Sequence, residues 1–418
     1  MNKDVFLNYE SEVRSYCRKW PVVFDTAKGS TLIDVDGNSY LDFFNGAGAL
    51  DYGHNPDYIK NKLIDYLQRD GIVHSLDMHA KAKGEFIDFF QNEVLKPRGY
   101  DYKIMFAGPT GTNANESALK LARKVTGRSN VFALNGAFHG MTLGTLSLTG
   151  DLGVRAGGGV DLSNVTHIPA PYYNNGSFDT ISYLDELLSD DHSGVDKPAA
   201  IILETVQAEG GIHVFSKEFL KGIREICDKY DILMICDEIQ VGCSRTGTFF
   251  SFERADVVPD MVTMSKSIGG YGLPLGLLLL KPELDIWSPG EHNGTFRGVQ
   301  LSLVAAKAGL EIMINENVPE QVKRKEAIVR EFLDNEIKPM LEDKQEIRGI
   351  GLIWGIEFND GKLARAVLDK CFENKLLVEL AGRGDSVLKI MPSLVIDEES
   401  LIKGLNIIKE SMKEVLGR

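Results

Sequence analysis

Short runs that are apolar but for Asn130 and Thr263 recur along the chain at 130–134, 199–203, 232–236 and 261–264. Before and between them lie stretches such as 117–124 and 217–229, in which apolar positions return every three or four residues. Uninterrupted apolar runs of this length fit strands buried on both faces, and the three-to-four spacing fits helices with one face against a core. Their alternation from about residue 55 to 314 predicts βαβ units and a mostly parallel sheet flanked by helices. Ahead of it, 31–35 and 40–43 flank the turn-forming Asp36-Gly37-Asn38, which predicts a small antiparallel hairpin. Beyond about 317, a long charged helix at 318–333 precedes strands at 351–358 and 387–390 and a closing helix at 398–416. The expected fold is α/β, with a large domain over 55–314. A smaller α+β domain is expected from both termini, an N-terminal segment 1–54 and a C-terminal segment 315–418. Gly157-Gly158-Gly159 and 172–176 are the most loop-like places, and loops there would lie near the carboxyl ends of strands, where open α/β sheets bind ligands. There is no internal repeat, low-complexity tract or long linker.

Composition narrows the partners more than the fold. At 418 residues, 43% hydrophobic and 25% charged, the chain can fill the cores of two domains. The net charge of -14 argues against a nucleic-acid surface or an anionic membrane, either of which needs concentrated Lys and Arg. Small molecules are the expected partners. The five cysteines (17, 227, 236, 243 and 371) show no CxxC spacing, which fits reduced thiols in a cytoplasm. The opening Met1-Asn2-Lys3-Asp4 is polar and 10–18 is highly charged, so no secretory leader is expected. The most apolar stretch, 273–280, contains Pro274 and Gly276 and falls far short of the roughly 20 residues of a membrane helix. A soluble, cytoplasmic protein without a metal site is the expectation.

Chemistry enters where the apolar runs end. Ile232-Leu233-Met234-Ile235-Cys236 hands over to Asp237-Glu238-Ile239-Gln240, and Met261-Val262-Thr263-Met264 delivers Ser265-Lys266-Ser267. Pyridoxal phosphate needs an amine for its Schiff base and a carboxylate that keeps its pyridine nitrogen protonated, so Lys266 and Asp237 are the candidates. Taken singly, a strand-end acid or a lysine in a Ser/Gly turn reads first as a solvated group. Thr110-Gly111-Thr112-Asn113-Ala114-Asn115-Glu116 opens a helix, and such a terminus offers free N–H groups and a positive dipole end to a phosphate. Gly111 permits close backbone approach and Thr112 adds a hydroxyl. The same string also reads as a plain capping box with Asn113 as the cap and Glu116 as its partner. Phe138-His139-Gly140 sets an aromatic side chain where it could stack on a flat ring. The apolar run ending at Leu203 continues into Glu204-Thr205-Val206-Gln207-Ala208-Glu209-Gly210-Gly211, two carboxylates and an amide at a strand exit.

In order and spacing these segments, with Asp237-Glu238-Ile239-Gln240-Val241-Gly242, Ser265-Lys266 and Gly294-Thr295-Phe296, resemble the class III (ω-amino acid) aminotransferases, pyridoxal phosphate enzymes of fold type I. The resemblance covers nearly the whole chain. It implies that Lys266 carries the cofactor, Asp237 pairs with the pyridinium nitrogen, Gly111 and Thr112 bind the phosphate, and Phe138 stacks on the ring. Gln240 would hydrogen-bond near the phenolic oxygen, with His139 and Glu204 also counted among the cofactor-binding residues. Thr295 matches a position that reaches the phosphate in the neighbouring subunit. A homodimer with shared active sites follows from the resemblance, with a tetramer left open.

Within the family the chain is most similar to the branch that makes L-2,4-diaminobutyrate from L-glutamate and L-aspartate 4-semialdehyde, including enzymes that start ectoine synthesis. The strings that carry this are Glu12-Val13-Arg14-Ser15-Tyr16-Cys17-Arg18, Gly46-Ala47-Gly48-Ala49-Leu50, His74-Ser75-Leu76-Asp77-Met78-His79 and Gly290-Glu291-His292-Asn293-Gly294-Thr295-Phe296-Arg297-Gly298. Many family members carry an arginine where Val387-Leu388-Lys389-Ile390-Met391-Pro392 has Lys389. That arginine grips the carboxylate of 2-oxoglutarate and is released to a glutamate, here matched by Glu209, when an ω-amine donor binds. Lysine keeps the charge but loses the planar fork. The diaminobutyrate branch resembles this lysine pattern. In Val378-Glu379-Leu380-Ala381-Gly382-Arg383, Glu379 either faces a substrate ammonium or is solvated. Three other functions stay open at this point: transfer to another ω-amino acid or diamine such as ornithine or 4-aminobutyrate, an aminomutase or racemase on the same fold, and a non-catalytic cofactor-binding protein.

Overall fold

The computed structural model describes residues 3–417; Met1 and Asn2 of the polar opening lie outside the described residues, as do Arg418 and the side chains of Asn174 and Asn175. Three strands come first, β1 (Phe24–Lys28), β2 (Thr31–Asp34) and β3 (Ser39–Asp42). They are followed by β4 (Lys103–Gly108), β5 (Val131–Leu134), β6 (Val165–Ile168) and β7 (Ala200–Leu203). A small hairpin, β8 (Val206–Gln207) and β9 (His213–Val214), leads to β10 (Leu233–Asp237), β11 (Met261–Met264) and β12 (Gly276–Leu280). The last strands are β13 (Glu346–Ile350), β14 (Ile353–Glu357), β15 (Leu376–Leu377), β16 (Glu379–Ala381) and β17 (Val387–Ile390).

The central sheet has seven strands in the order β4-β12-β11-β10-β7-β5-β6. β10 lies between β7 and β11 and runs parallel to both, with Ile235 opposite Ile202 on one side and Met261 on the other. Strands placed this way are covered on both faces, which is why β5 and β7 read as unbroken apolar runs, β11 departs only at Thr263, and all three are buried throughout. The apolar stretch at 273–280 supplies β12, which is antiparallel to both β11 and β4.

The helix Lys217–Lys229 illustrates why the flanking segments are helical. Ser216 caps it by accepting from the Phe219 N–H at 3.1 Å, and Phe219, Leu220, Ile223, Ile226 and Cys227 return at helical spacing to bury one face. Each such apolar side chain contributes about 1.5–3 kcal/mol on burial.

The two chain ends meet in one small sheet, where β3 runs parallel to β15 with Leu41 opposite Leu376. A second sheet, β13-β14-β17-β16, is antiparallel. Arg245, completely buried, joins these parts: its guanidinium pairs with Asp51 and donates to the carbonyls of Leu352 at 2.9 Å and Pro392.

Several boundaries differ from those read in the sequence. The glycine run at 157–159 is not plain loop, because Asp151 accepts from the N–H groups of Gly153 and Val154 and starts a helical turn, Leu152–Arg155, that continues as a 3-10 turn over Ala156–Gly158. Residues 172–176 hold the short helix Tyr173–Gly176. The charged helix Val318–Phe332 runs on into a π-helical turn, Leu333–Ile337. No helix among the described residues is long and apolar enough to cross a membrane.

Candidate active site

The carboxyl ends of five sheet strands open onto one cavity of about 430 Å³. β4 leads to Gly111 and Thr112, β5 to Phe138 and His139, β7 to Glu204 and Glu209, β10 to Asp237 and Gln240, and β11 to Lys266. All nine of these residues line the cavity. This is the position at which a parallel sheet exposes side chains to a ligand.

Asp237 ends β10 almost fully buried. Its Oδ2 accepts from Asn115 Nδ2 at 2.8 Å and lies 2.8 Å from His139 Nδ1, while Oδ1 accepts from the Ile239 N–H at 3.0 Å. Asn115 was not singled out in the sequence. It donates its second hydrogen to the His139 carbonyl at 2.7 Å, so one amide fixes both the acid and the loop beside it. Burial works against a charged His139, but the bond to Asp237 and its charge outweigh that and raise the pKa above its ordinary value.

Lys266 sits two residues past β11 in a left-handed backbone conformation (φ 54°), a position that costs a non-glycine residue energy and is common at functional sites. Its amine makes no hydrogen bond or ion pair among the described residues. Burial lowers its pKa; Glu209 opposes and Lys389 reinforces that shift.

At the opposite wall, the helix Gly111–Thr126 begins. The cap is Thr110 rather than Asn113: Asn113 Oδ1 accepts from the Thr110 N–H at 3.2 Å and hydroxyl at 2.8 Å, because the acceptor three residues inside the helix is the one that reaches back. Glu116 turns away to accept from the Thr142 hydroxyl and the Thr145 N–H. The Thr112 hydroxyl contacts those of Thr142 (2.8 Å) and Thr145 (2.6 Å). A methyl group on Gly140 would meet Thr112 Oγ1 at 2.4 Å, and one on Gly111 would meet Ile239 at 2.8 Å, so both glycines keep this cradle open. Free N–H groups of a 16-residue helix together with three hydroxyls suit a phosphate.

Glu204 supports the cavity from behind, accepting from the Phe138 N–H at 3.0 Å and the Ala208 N–H at 3.3 Å. Burial raises its pKa to about 7. Both hydrogens of the Gln240 amide are engaged, by the Ala47 carbonyl at 2.8 Å and Glu209 Oε1 at 3.1 Å. Gln240 Oε1 is buried without a partner among the described residues. Lys389 is fully buried and ion-paired to Glu209 at 2.6 Å and to Glu379 at 2.8 Å. Glu379 is therefore neither solvated nor open to the cavity. Thr295 is exposed and absent from the cavity lining; its carbonyl lies 2.8 Å from His74 Nε2.

A phosphate cradle, a flat aromatic wall at Phe138, a carboxylate on the cavity floor and an unpaired amine form a donor set that fits pyridoxal phosphate. Comparison with known proteins agrees. The family described as Aminotransferase class-III matches residues 14–412, and the chain belongs to it. At the level of individual proteins, the chain is 51% identical over 412 residues to a diaminobutyrate--2-oxoglutarate transaminase of Streptomyces avermitilis, covering 98% of this chain and 97% of the relative. A transaminase of the same name from Sporosarcina pasteurii is 51% identical over 410 residues, covering 97% and 96%. Among solved structures, the ornithine aminotransferase of Toxoplasma gondii superposes with a TM-score of 0.86 at 28% identity, over 99% of this chain and 93% of that one. The taurine:2-oxoglutarate aminotransferase of Bifidobacterium kashiwanohense, solved with PLP and glutamate, gives 0.84 at 25% identity, over 95% and 93%.

Proposed function

We propose that this chain is a pyridoxal phosphate-dependent transaminase that converts L-glutamate and L-aspartate 4-semialdehyde to 2-oxoglutarate and L-2,4-diaminobutyrate, reversibly. The observation that carries the reading is the pairing of an amine without a partner, Lys266, with a carboxylate fixed by Asn115 and His139 across one cavity. The shared name of relatives about half identical over their full length supports the substrates.

Bound there, pyridoxal phosphate supplies an aldehyde for the substrate amine and a ring that accepts electrons from the substrate carbon. Asp237 would hold a proton on the ring nitrogen. Gly111 and Thr112 would take the phosphate with their N–H groups and the Thr112 hydroxyl, and Phe138 would supply the aromatic wall beside the ring. Lys266 Nζ, made less basic by burial, would take the proton from the substrate carbon and deliver it to the carbon of the cofactor's aldehyde group, so that the amine stays with the cofactor. Glu209 faces the far end of the substrate, with Lys389 buried behind it. Thr295 serves the phosphate site of a second copy of the chain, so the working unit is a homodimer, in the cytoplasm. Supply of diaminobutyrate for ectoine is the use that the branch resemblance favours.

The test is direct. Purified protein with pyridoxal phosphate should show a visible absorbance band that is lost on adding glutamate or diaminobutyrate, with release of 2-oxoglutarate from glutamate. A band that neither donor changes would sink the proposal.

A further inference from the structure

In the antiparallel pair β16–β17, Glu379 stands directly opposite Lys389, and the two charged side chains meet inside a wall of buried neighbours. Lys389 thus has two carboxylate partners, Glu209 from the β8–β9 hairpin and Glu379 from its own sheet. The trio carries two negative charges and one positive. Only Glu209 of the three lines the cavity, where it is part-exposed, whereas Glu379 and Lys389 are buried behind it. If Lys389 had Glu209 as its sole partner, the charge facing the cavity would be cancelled. With Glu379 holding the lysine, one carboxylate charge remains on the cavity side.

We propose that Glu379 determines which amine donors this site accepts. By sharing Lys389 from behind, it leaves Glu209, whose Oε1 alone is held by Lys389 and Gln240, a net charge and its Oε2 with which to receive the second ammonium of a diamino acid while the first reacts at the far side of the cavity. Glu379 touches neither substrate nor cofactor; it is a positioning residue that acts through Lys389. The inference rests on the transaminase reading above and names the residue that gives that reading its preference for a substrate with two amines.

The experiment compares holoenzyme and Glu379→Gln, an isosteric change that removes the charge, in reactions started with L-2,4-diaminobutyrate and with L-glutamate. Losing a net negative charge next to an ammonium site should raise KM for diaminobutyrate about tenfold or more. KM for glutamate should move less than about threefold, and kcat on either donor should change little. Inhibition by glutarate, a dicarboxylate that cannot react, should tighten in the variant because Lys389 is less fully neutralised. The double variant Glu379→Gln with Lys389→Gln restores the single negative charge of the trio. It should return KM for diaminobutyrate to near the wild-type value while raising KM for glutamate, a rescue that a merely structural role would not produce. It also carries the test alone if the single variant does not fold, since it buries no lysine. Equal effects of Glu379→Gln on both donors, or a double variant in which KM for diaminobutyrate rises over wild type as much as KM for glutamate, would overturn the proposal. A wild-type enzyme inert towards both donors would overturn the transaminase reading itself.

Discussion

Replacing Asn115 by alanine removes both hydrogens that tie the His139 carbonyl and the Asp237 carboxylate to the helix Gly111–Thr126. The bond to Asp237 is charge-assisted, a type that contributes about 1.5–3 kcal/mol. If that energy is what holds the carboxylate beneath the ring nitrogen, its loss weakens pyridoxal phosphate binding by about 10- to 150-fold. Some global stability is lost as well, because Asn115 is fully buried and the His139 carbonyl is left without its donor. Asn130→Ala is the matched control. Asn130 is also buried and donates to Thr166 Oγ1 at 3.0 Å and the Asp196 carbonyl at 2.9 Å, but it does not line the cavity. Cofactor dissociation constants are measured by absorbance titration of the apoprotein, with denaturant midpoints measured alongside. Both variants should lose stability, and only Asn115→Ala should lose affinity. An Asn115→Ala dissociation constant within about threefold of wild type would refute the reasoning.

Lys266→Ala should gain no cofactor mass after borohydride reduction with pyridoxal phosphate, whereas the wild type gains one per chain; an adduct on another lysine in the variant contradicts the assignment. Asp51→Ala leaves the buried Arg245 guanidinium without a counter-charge and should lower unfolding free energy in urea by about 3–5 kcal/mol, an outcome that an unchanged midpoint would exclude. For pH, burial raises Glu238 to about 7 against the opposing bonds from Ser251 and Phe252, and Glu204 behaves similarly. Between about 4.5 and 7 the folded protein keeps these protons while the unfolded chain releases them, so apoprotein stability should fall as pH rises through that window and level off above it. Glu238→Gln, which cannot ionise, should flatten the slope; a slope of the opposite sign, or one identical to wild type, would show that Glu238 is not its source.

The large sheet was legible because β5, β7, β10 and β11 are covered on both faces, so burial itself writes continuous apolar runs into the sequence. Asp237 and Lys266 stood out for the same reason, as polar residues at the ends of such runs. Asn115 did not, since a single polar residue inside a helix shows nothing of a bond reaching 122 positions along the chain. The cap of that helix was read three residues late because 110–116 offers two polar residues at capping distance, and only the folded turn selects Thr110. Pairing of Glu379 with Lys389 depends on the register of β16 against β17, which the residues between them at 382–386 do not reveal. A signal was nonetheless there: each is the single charged residue in an otherwise apolar strand, and opposite charges in such places need each other.

The central claim is transfer of an amine to the terminal carbon of a four-carbon aldehyde. It is tested most directly by supplying 15N-labelled L-glutamate and unlabelled L-aspartate 4-semialdehyde to the holoenzyme and locating the label in the product by NMR. The account predicts 2-oxoglutarate together with L-2,4-diaminobutyrate carrying 15N at C4 alone. Label at C2, or a rearranged product of unchanged nitrogen content, would contradict it.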